Sequence, residues 1–138
     1  RRECAAIIAN AEGIGFGRTS FPQSYRGNRR LQVDDSSGEC AAELWRRLRP
    51  WVPATMVLSE EEIGDVDIPA GEWRAVGCNT RFRLSKYYSD DGFASHCDSF
   101  ACLGHQRLTL VTVNIYLNDL SASQRGRTYF YSDGGEVV

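Results

Sequence analysis

The N-terminal part of the chain carries two patterns of apolar residues at helical spacing. In residues 2–12 and again in residues 37–49, apolar positions recur every three or four residues, which is typical of an amphipathic helix. The first stripe is Cys4, Ile7, Ile8 and Ala11, and the second is Ala41, Leu44, Trp45 and Leu48. Glycines follow the first pattern and prolines follow the second, and both residue types end helices. We therefore predict two amphipathic helices.

Two short motifs predict where helices begin. Ser36 and Glu39 have the spacing of a capping box, in which each side chain accepts a hydrogen bond from the backbone N–H of the other residue. Ser59 and Glu62 repeat this spacing before a short helical turn. Residues 18–35 are polar and rich in arginine, so we predict an irregular loop between the two long helices.

From residue 73 onward the pattern changes to that of extended chain. We predict strands at residues 73–88, 93–98, 107–119 and 127–131, with turns or loops between them. The third is the strongest, because it is rich in β-branched residues. Helices followed by strands indicate an α+β, mainly β fold, in which N-terminal helices pack on a β-sandwich or jelly roll.

Length, charge and cysteine content narrow the classes of protein. The chain has 138 residues and no internal repeat, which suits one domain with a hydrophobic core. A formal net charge of −2 gives no electrostatic reason to expect a nucleic acid or a membrane surface as partner. No apolar run approaches the roughly 20 residues of a membrane-spanning helix. Five irregularly spaced cysteines favour reduced thiols, so we expect a soluble protein, with the cytoplasm favoured.

His96 and Asp98 form a His-x-Asp motif within the predicted strand at residues 93–98. Side chains two positions apart in a strand point to the same face, so an imidazole and a carboxylate would converge on one point. Taken alone, the motif has two interpretations, a metal site and the polar edge of a strand. The residues around it favour the metal site.

These residues resemble the prolyl 4-hydroxylase-like branch of the Fe(II)/2-oxoglutarate-dependent dioxygenases. The family carries, in order, an Asn, arginine-rich strand residues, a Tyr, a Phe-x-x-His-x-Asp block, a strand ending in Tyr-Leu-Asn, and Gly-x-Thr-x-Phe. The corresponding positions here are Asn79, Arg81, Arg83, Tyr87, Phe93, His96, Asp98, Tyr116, Leu117, Asn118, Gly126, Thr128 and Phe130. The resemblance implies a double-stranded β-helix, a cupin-like jelly roll. Residues 1–72 would be its helical support region, and residues 73–138 the first part of its catalytic core, within a single domain.

The resemblance also implies a set of cofactors and contacts. His96 and Asp98 would bind Fe(II), Tyr87 would bind the distal carboxylate of the co-substrate 2-oxoglutarate, and Thr128 and Tyr116 would line the same pocket. Without the resemblance, Tyr87 is a half-buried strand tyrosine and Thr128 an ordinary strand residue. The implied reaction uses molecular oxygen to hydroxylate a peptidyl proline or a similar side chain of a protein or peptide, and decarboxylates 2-oxoglutarate to succinate. Ascorbate is a further cofactor that the family leads us to expect.

Two parts of the family pattern have no counterpart in the chain. One is the second iron-binding histidine, and the other is a Lys or Arg beyond it that pairs with 2-oxoglutarate. His105 precedes the long predicted strand, so we expect it to be an exposed loop histidine and not the missing ligand. No basic residue follows Arg127. We therefore expect the chain to be a piece of a longer protein that supplies both residues; the alternative is a shortened homologue without the full triad.

Two other functions are open. A non-catalytic binding module would keep the β-fold without iron, and the missing histidine favours it. Its partner contacts would be Arg26, Arg29, Arg30, Arg81 and Arg83. A nucleic-acid demethylase of the same superfamily would also use a His-x-Asp motif. The acidic charge balance and the lack of a clustered basic face argue against that function.

Overall fold

The structure, a computed structural model, combines three helices with five strands in two sheets, and it describes residues 1–63, 68–89, 91–104, 106–121, 124, 126–132, 135 and 137. The helices are α1 (Arg2–Ile14), α2 (Glu39–Leu48) and α3 (Glu60–Ile63). The strands are β1 (Gly17–Arg18), β2 (Arg29–Asp34), β3 (Thr55–Leu58), β4 (Gly71–Arg74) and β5 (Arg81–Lys86). One sheet has the order β1-β2-β5 and the other pairs β3 with β4; the β1–β2 and β3–β4 pairs are antiparallel. The predicted α+β class is confirmed.

Both long helices are confirmed, with slightly different ends. α1 continues to Ile14, and Gly15 follows it with a φ of 97°, a left-handed backbone that favours glycine. α2 is followed by a 3-10 turn at Arg49–Trp51, which contains the proline that ends the helix. Ala11 and Ala41, one from each predicted apolar stripe, are among the few buried apolar side chains of the described residues.

One predicted capping box forms and the other does not. The backbone N–H of Ser59 donates to the Glu62 carboxylate at 2.8 Å, and the N–H of Glu62 donates to the Ser59 hydroxyl at 3.2 Å. At α2, however, the N-cap residue is Gly38 with a φ of 74°, so the predicted box of Ser36 and Glu39 is wrong. The left-handed backbone at Gly38 makes the helix start later than predicted. The side chain that binds the first amides of the helix is therefore that of Asp35 and not that of Ser36. The Asp35 carboxylate accepts hydrogen bonds from the N–H groups of Gly38 and Ala41, at 3.2 Å and 2.9 Å.

The cap at Asp35 predicts a pH dependence of stability. The hydrogen bond from the Ala41 amide lowers the pKa of Asp35 below its ordinary value. A lowered folded-state pKa means that the carboxylate stabilises the folded chain above its ordinary pKa, and that this contribution is lost as pH falls through the lowered value. Thermal unfolding followed from neutral pH to about pH 3 should therefore show a steeper acid loss for the wild type than for Asp35→Asn. Ser36→Ala is the control and should follow the wild type; parallel curves for wild type and Asp35→Asn would contradict the assignment of the cap.

The predicted irregular loop at residues 18–35 is wrong, because it contains β2 and part of β1. Gly17 pairs with Arg30 and Arg18 pairs with Arg29 in antiparallel register. Along β2, the side chains of Leu31 and Val33 are half-buried while those between and after them are exposed. The alternation is not evident in the sequence, because arginines occupy some of the half-buried positions of β2. An arginine can do so because its long apolar stem is buried while its charged end stays in water.

The later strands are confirmed only in part. β5 and the second half of β4 lie within the extended chain predicted for residues 73–88. Residues 93–98, 107–119 and 127–131 are not strands in the structure, and their pairing with other described residues consists of isolated bridges. The apolar side chains of residues 107–119 are largely exposed, with Val113 at 43% and Ile115 at 52%. High β-propensity is therefore not sufficient for a strand, since a ladder also needs an adjacent strand to accept its hydrogen bonds.

Contacts divide the chain into two compact units that are not contiguous in sequence. The first consists of Arg1–Leu31, Arg83–His96 and Ile115–Val138, and the second of Gln32–Phe82 and Cys97–Asn114. The division of a single domain into a helical support region at residues 1–72 and a catalytic core that begins at residue 73 stays a prediction. None of the helices that the structure describes has the length and apolar character needed to cross a membrane. All five cysteines are free thiols.

Candidate functional site

Four of the five predicted site residues belong to the first unit: His96, Tyr87, Tyr116 and Thr128. Asp98 belongs to the second unit, where it is exposed.

A short backbone pairing holds the segment that leads into His96. The N–H of Gly27 donates to the carbonyl of Gly92 at 2.9 Å, and the N–H of Ala94 donates to the carbonyl of Tyr25 at 2.8 Å. Between these two bonds, Arg26 and Phe93 form an antiparallel bridge. The segment expected to be a strand at residues 93–98 is thus paired at one bridge only.

Gly27 allows this pairing because it leaves room for Asp91. A Cβ atom on Gly27 would lie 3.0 Å from Oδ1 and 3.3 Å from Cα of Asp91. Asp91 is itself held in place, since its Oδ2 accepts a hydrogen bond from the N–H of Tyr88 at 2.9 Å. A larger residue at position 27 would push the two segments apart.

Gly27→Ala is accordingly expected to destabilise the protein by about 1–3 kcal/mol, the usual cost of overpacking. Gly17→Ala is the matched control in the same unit, because an added Cβ there would meet the carbonyl oxygen of Arg30 at 3.9 Å, an ordinary contact. Urea denaturation of both variants measures the difference. Equal free energies of unfolding for the two variants would show that the approach of Asp91 is not tight.

The ring of Phe93 lies between Arg26 and His96. The Cζ atom of Arg26 is 3.6 Å from the centroid of the Phe93 ring, and the His96 imidazole stacks at a centroid distance of 3.8 Å and an angle of 27°. Two groups this close to one ring centroid cannot share a face, so they lie on opposite faces. The result is a three-layer stack of guanidinium, phenyl and imidazole, which we call the Arg26–Phe93–His96 stack. The ring of Tyr25 adds an edge contact to Phe93 at 5.7 Å.

Arg26 adds little net stability through this contact. Its Nε atom is buried and has no hydrogen-bond partner among the described residues, and an unsatisfied buried donor costs about 1–3 kcal/mol. A cation–π contact contributes about 0.5–2 kcal/mol. Arg26 makes two such contacts, the second with Phe21 at 5.3 Å. Gain and cost are of similar size, so stability alone does not explain why an arginine stands here.

The hydrogen bond of His96 to the backbone determines its tautomer and leaves Nε2 as the nitrogen able to bind a metal. Its Nδ1 atom is 2.8 Å from the carbonyl oxygen of Ala94. Because a carbonyl oxygen can only accept, Nδ1 carries the hydrogen and donates it. In a neutral imidazole the lone pair is then on Nε2, the nitrogen that would coordinate a metal or accept a proton.

Tyr116 and Thr128 lie together, and Tyr116 influences the pKa of Tyr87. The hydroxyl groups of Tyr116 and Thr128 are 2.6 Å apart and share a hydrogen bond. Burial raises the pKa of Tyr87; the positive charges of Arg26 and Arg30 lower it, and the Tyr116 and Asp91 groups raise it further. Two of the three predicted contacts of 2-oxoglutarate, Tyr116 and Thr128, thus touch each other, and the pKa of Tyr87 responds to the charges of Arg26, Arg30 and Tyr116.

Sequence reasoning missed the position of these two arginines. It considered Arg26 and Arg30 only as partner contacts of a binding module. Arg30 is in β2, which pairs with β5, and Tyr87 comes directly after β5; Arg26 precedes β2 and pairs with Phe93. The alternation of Leu31 and Val33 was the signal that could have revealed β2.

The two proposed iron ligands belong to different units, His96 to the first and Asp98 to the second. Within the described residues there is no group of three His, Cys, Asp or Glu side chains that could hold a metal ion. His105, which we expect to be a loop residue, lies outside the described residues. His96 and Asp98 are nevertheless the types of ligand found in His/carboxylate iron sites. The tautomer of His96 fits that role, and the hydroxyl and guanidinium donors near Tyr87 fit a carboxylate.

The second unit contains an open cavity of about 250 Å³. It is lined by α2 residues such as Ala41 and Trp45 and by the chain around Val76 and Cys78. Burial raises the pKa of the Cys78 thiol, which makes it a weaker nucleophile. No predicted site residue lines this cavity, so we do not place the candidate site there.

Comparisons of the chain with known protein families, with curated proteins and with solved structures gave no match.

Proposed function

We propose that the chain is the Fe(II)- and 2-oxoglutarate-binding part of a dioxygenase that hydroxylates a peptidyl proline or a similar side chain. The observation that carries the proposal is the 2.6 Å hydrogen bond between the Tyr116 and Thr128 hydroxyl groups, together with the effect of the Arg26, Arg30 and Tyr116 charges on the pKa of Tyr87. Hydroxyl and guanidinium groups are the donors that bind carboxylates best, and 2-oxoglutarate carries two carboxylates. Within this proposal the finer fold is a double-stranded β-helix.

Each residue has a distinct task in the proposed function. His96, through Nε2, and Asp98 would hold the iron, which supplies the oxidative chemistry when it is bound together with 2-oxoglutarate and molecular oxygen. Tyr87 donates its hydroxyl hydrogen to the distal carboxylate. Because burial raises its pKa, Tyr87 stays protonated and remains a donor at neutral pH.

The hydrogen bond between Tyr116 and Thr128 restricts both hydroxyl groups. Whichever hydroxyl donates in this bond, its partner keeps its own hydrogen for another acceptor. One hydroxyl hydrogen of the pair thus remains for another acceptor, such as a carboxylate, which supports carboxylate binding. The substrate is proposed to be a protein or peptide, and ascorbate is the proposed reductant that keeps the iron in the Fe(II) state.

The proposal is tested first by binding. Under anaerobic conditions, Fe(II) and 2-oxoglutarate together should give the visible charge-transfer absorption of a chelated 2-oxo acid, and neither should give it alone. When the second histidine and the Lys or Arg of the family pattern are supplied, a proline-containing peptide should increase succinate formation in air, while the same peptide with alanine in place of proline should not. If Fe(II) and 2-oxoglutarate give no absorption change and calorimetry detects no binding, the dioxygenase is ruled out for this chain, and a binding module without iron takes its place.

A further inference from the structure

We infer that Arg26 is a positioning residue for His96: its guanidinium holds the Phe93 ring against the imidazole and thereby sets the direction of Nε2. The consequence for metal binding rests on the proposed function, whereas the contact itself does not require a metal. Toward His96, Arg26 acts through the Phe93 ring, which contacts both side chains.

The backbone explains why Arg26 and Phe93 meet. They are partners in an antiparallel bridge, and partners directly opposite each other project their side chains to the same side of the pair. The guanidinium of Arg26 therefore covers one face of the Phe93 ring, and the imidazole three residues later covers the other.

Two contacts together determine how the imidazole is oriented. Stacking on Phe93 sets the plane of the ring, at 27° to the phenyl plane. The hydrogen bond from Nδ1 to the Ala94 carbonyl sets the rotation within that plane. With plane and rotation both defined, Nε2 has one direction. Loss of the support from Arg26 would release the first constraint and leave the second.

The position of Arg26 is governed by aromatic rings and not by an acid. In the described part of the chain no ion pair involves Arg26, and its partners are the rings of Phe93 and Phe21. A guanidinium is planar and stacks flat on a ring, which the compact ammonium of lysine cannot do. The contact with Phe93 therefore depends on the planar shape of the guanidinium as well as on its charge.

The test begins with nuclear magnetic resonance of the metal-free wild type. We expect the Phe93 ring protons to show Overhauser contacts to both the Arg26 side chain and the His96 ring, and the His96 ring protons to be shifted upfield by stacking. Arg26→Met should remove at least half of that upfield shift and weaken Co(II) binding about tenfold, the size of effect seen when groups that orient a ligand are lost. Arg26→Lys should give an intermediate shift. Arg29→Met, which removes the neighbouring arginine of β2, should change neither quantity.

Each outcome decides between this inference and its alternatives. Wild-type contacts that Arg26→Met abolishes, without Co(II) binding in any variant, would support the positioning role and reject the proposed metal site. If Co(II) binds tightly and the His96 shift is unchanged in Arg26→Met, the result would support the proposed metal site and reject the positioning role. If both Arg26 variants lose their folded spectra, Arg26 is needed for folding in general, and the positioning role is overturned. Absence of the two-sided contacts in the wild type would overturn it as well.

Discussion

His96→Ala is expected to weaken Co(II) binding by about a hundredfold or more. Loss of groups that only orient a ligand costs about 10–100-fold in metal affinity, and loss of the ligand itself should cost at least the upper value. Two protein ligands, His96 and Asp98, are proposed for this chain, so removal of one leaves a carboxylate alone. Co(II) is a suitable probe because it resists oxidation in air and its visible absorption reports the number and type of ligands. The measurement is a titration followed by this absorption and by calorimetry.

The control for this prediction is provided by the only other histidine. His105→Ala should bind Co(II) as the wild type does, because the sequence pattern assigns His105 to a loop outside the site. The pair of variants separates a specific site from binding to any imidazole. If both variants lose affinity equally, both histidines take part and the expected role of His105 is wrong. If only His105→Ala loses affinity, His96 is not a ligand.

The helices could be predicted from sequence because each carries its own signals. Apolar spacing gave both long helices, and the box of Ser59 and Glu62 formed as expected. The cap at α2 could not be predicted, since it depends on the left-handed backbone of Gly38, which moves the role from Ser36 to Asp35. A capping motif read from spacing assumes a backbone path that a nearby glycine can change.

The strands were harder because pairing involves distant residues. β2 was not predicted because arginines obscure its alternating pattern. Residues 107–119, the most strand-like segment, form no ladder with other described residues. Propensity describes how a side chain fits a sheet, whereas a strand exists only with a partner at the right distance. The same reasoning applies to the site. The resemblance placed Tyr87, Tyr116 and Thr128 in one pocket, but local pattern gave no indication that Arg26 would reach Phe93.

Tyr87→Phe is expected to weaken binding of 2-oxoglutarate to the Co(II)-loaded protein by about tenfold or more. A hydrogen bond to a charged group contributes about 1.5–3 kcal/mol, and each 1.4 kcal/mol corresponds to a factor of ten in affinity. The substitution removes one oxygen and leaves the ring, so packing is nearly unchanged. Burial raises the pKa of the Tyr87 phenol, and the hydroxyl therefore keeps its hydrogen throughout the neutral range. The loss of affinity should accordingly be the same at pH 6.5 and pH 8, well below the ordinary tyrosine pKa of about 10.

Two controls make this prediction specific to the distal carboxylate. Tyr88→Phe changes the neighbouring residue in the same way and should leave the affinity for 2-oxoglutarate unaltered. 2-Oxopentanoate keeps the 2-oxo acid group that would chelate the metal but has a methyl group in place of the distal carboxylate, so it should bind wild type and Tyr87→Phe equally. A tenfold loss for 2-oxopentanoate as well would show that Tyr87 acts on the metal end or on the fold. If neither ligand loses affinity, Tyr87 is an ordinary half-buried tyrosine without a role in binding. The main support for 2-oxoglutarate as co-substrate would then be lost, because Arg26 and Arg30 alone do not distinguish one anion from another.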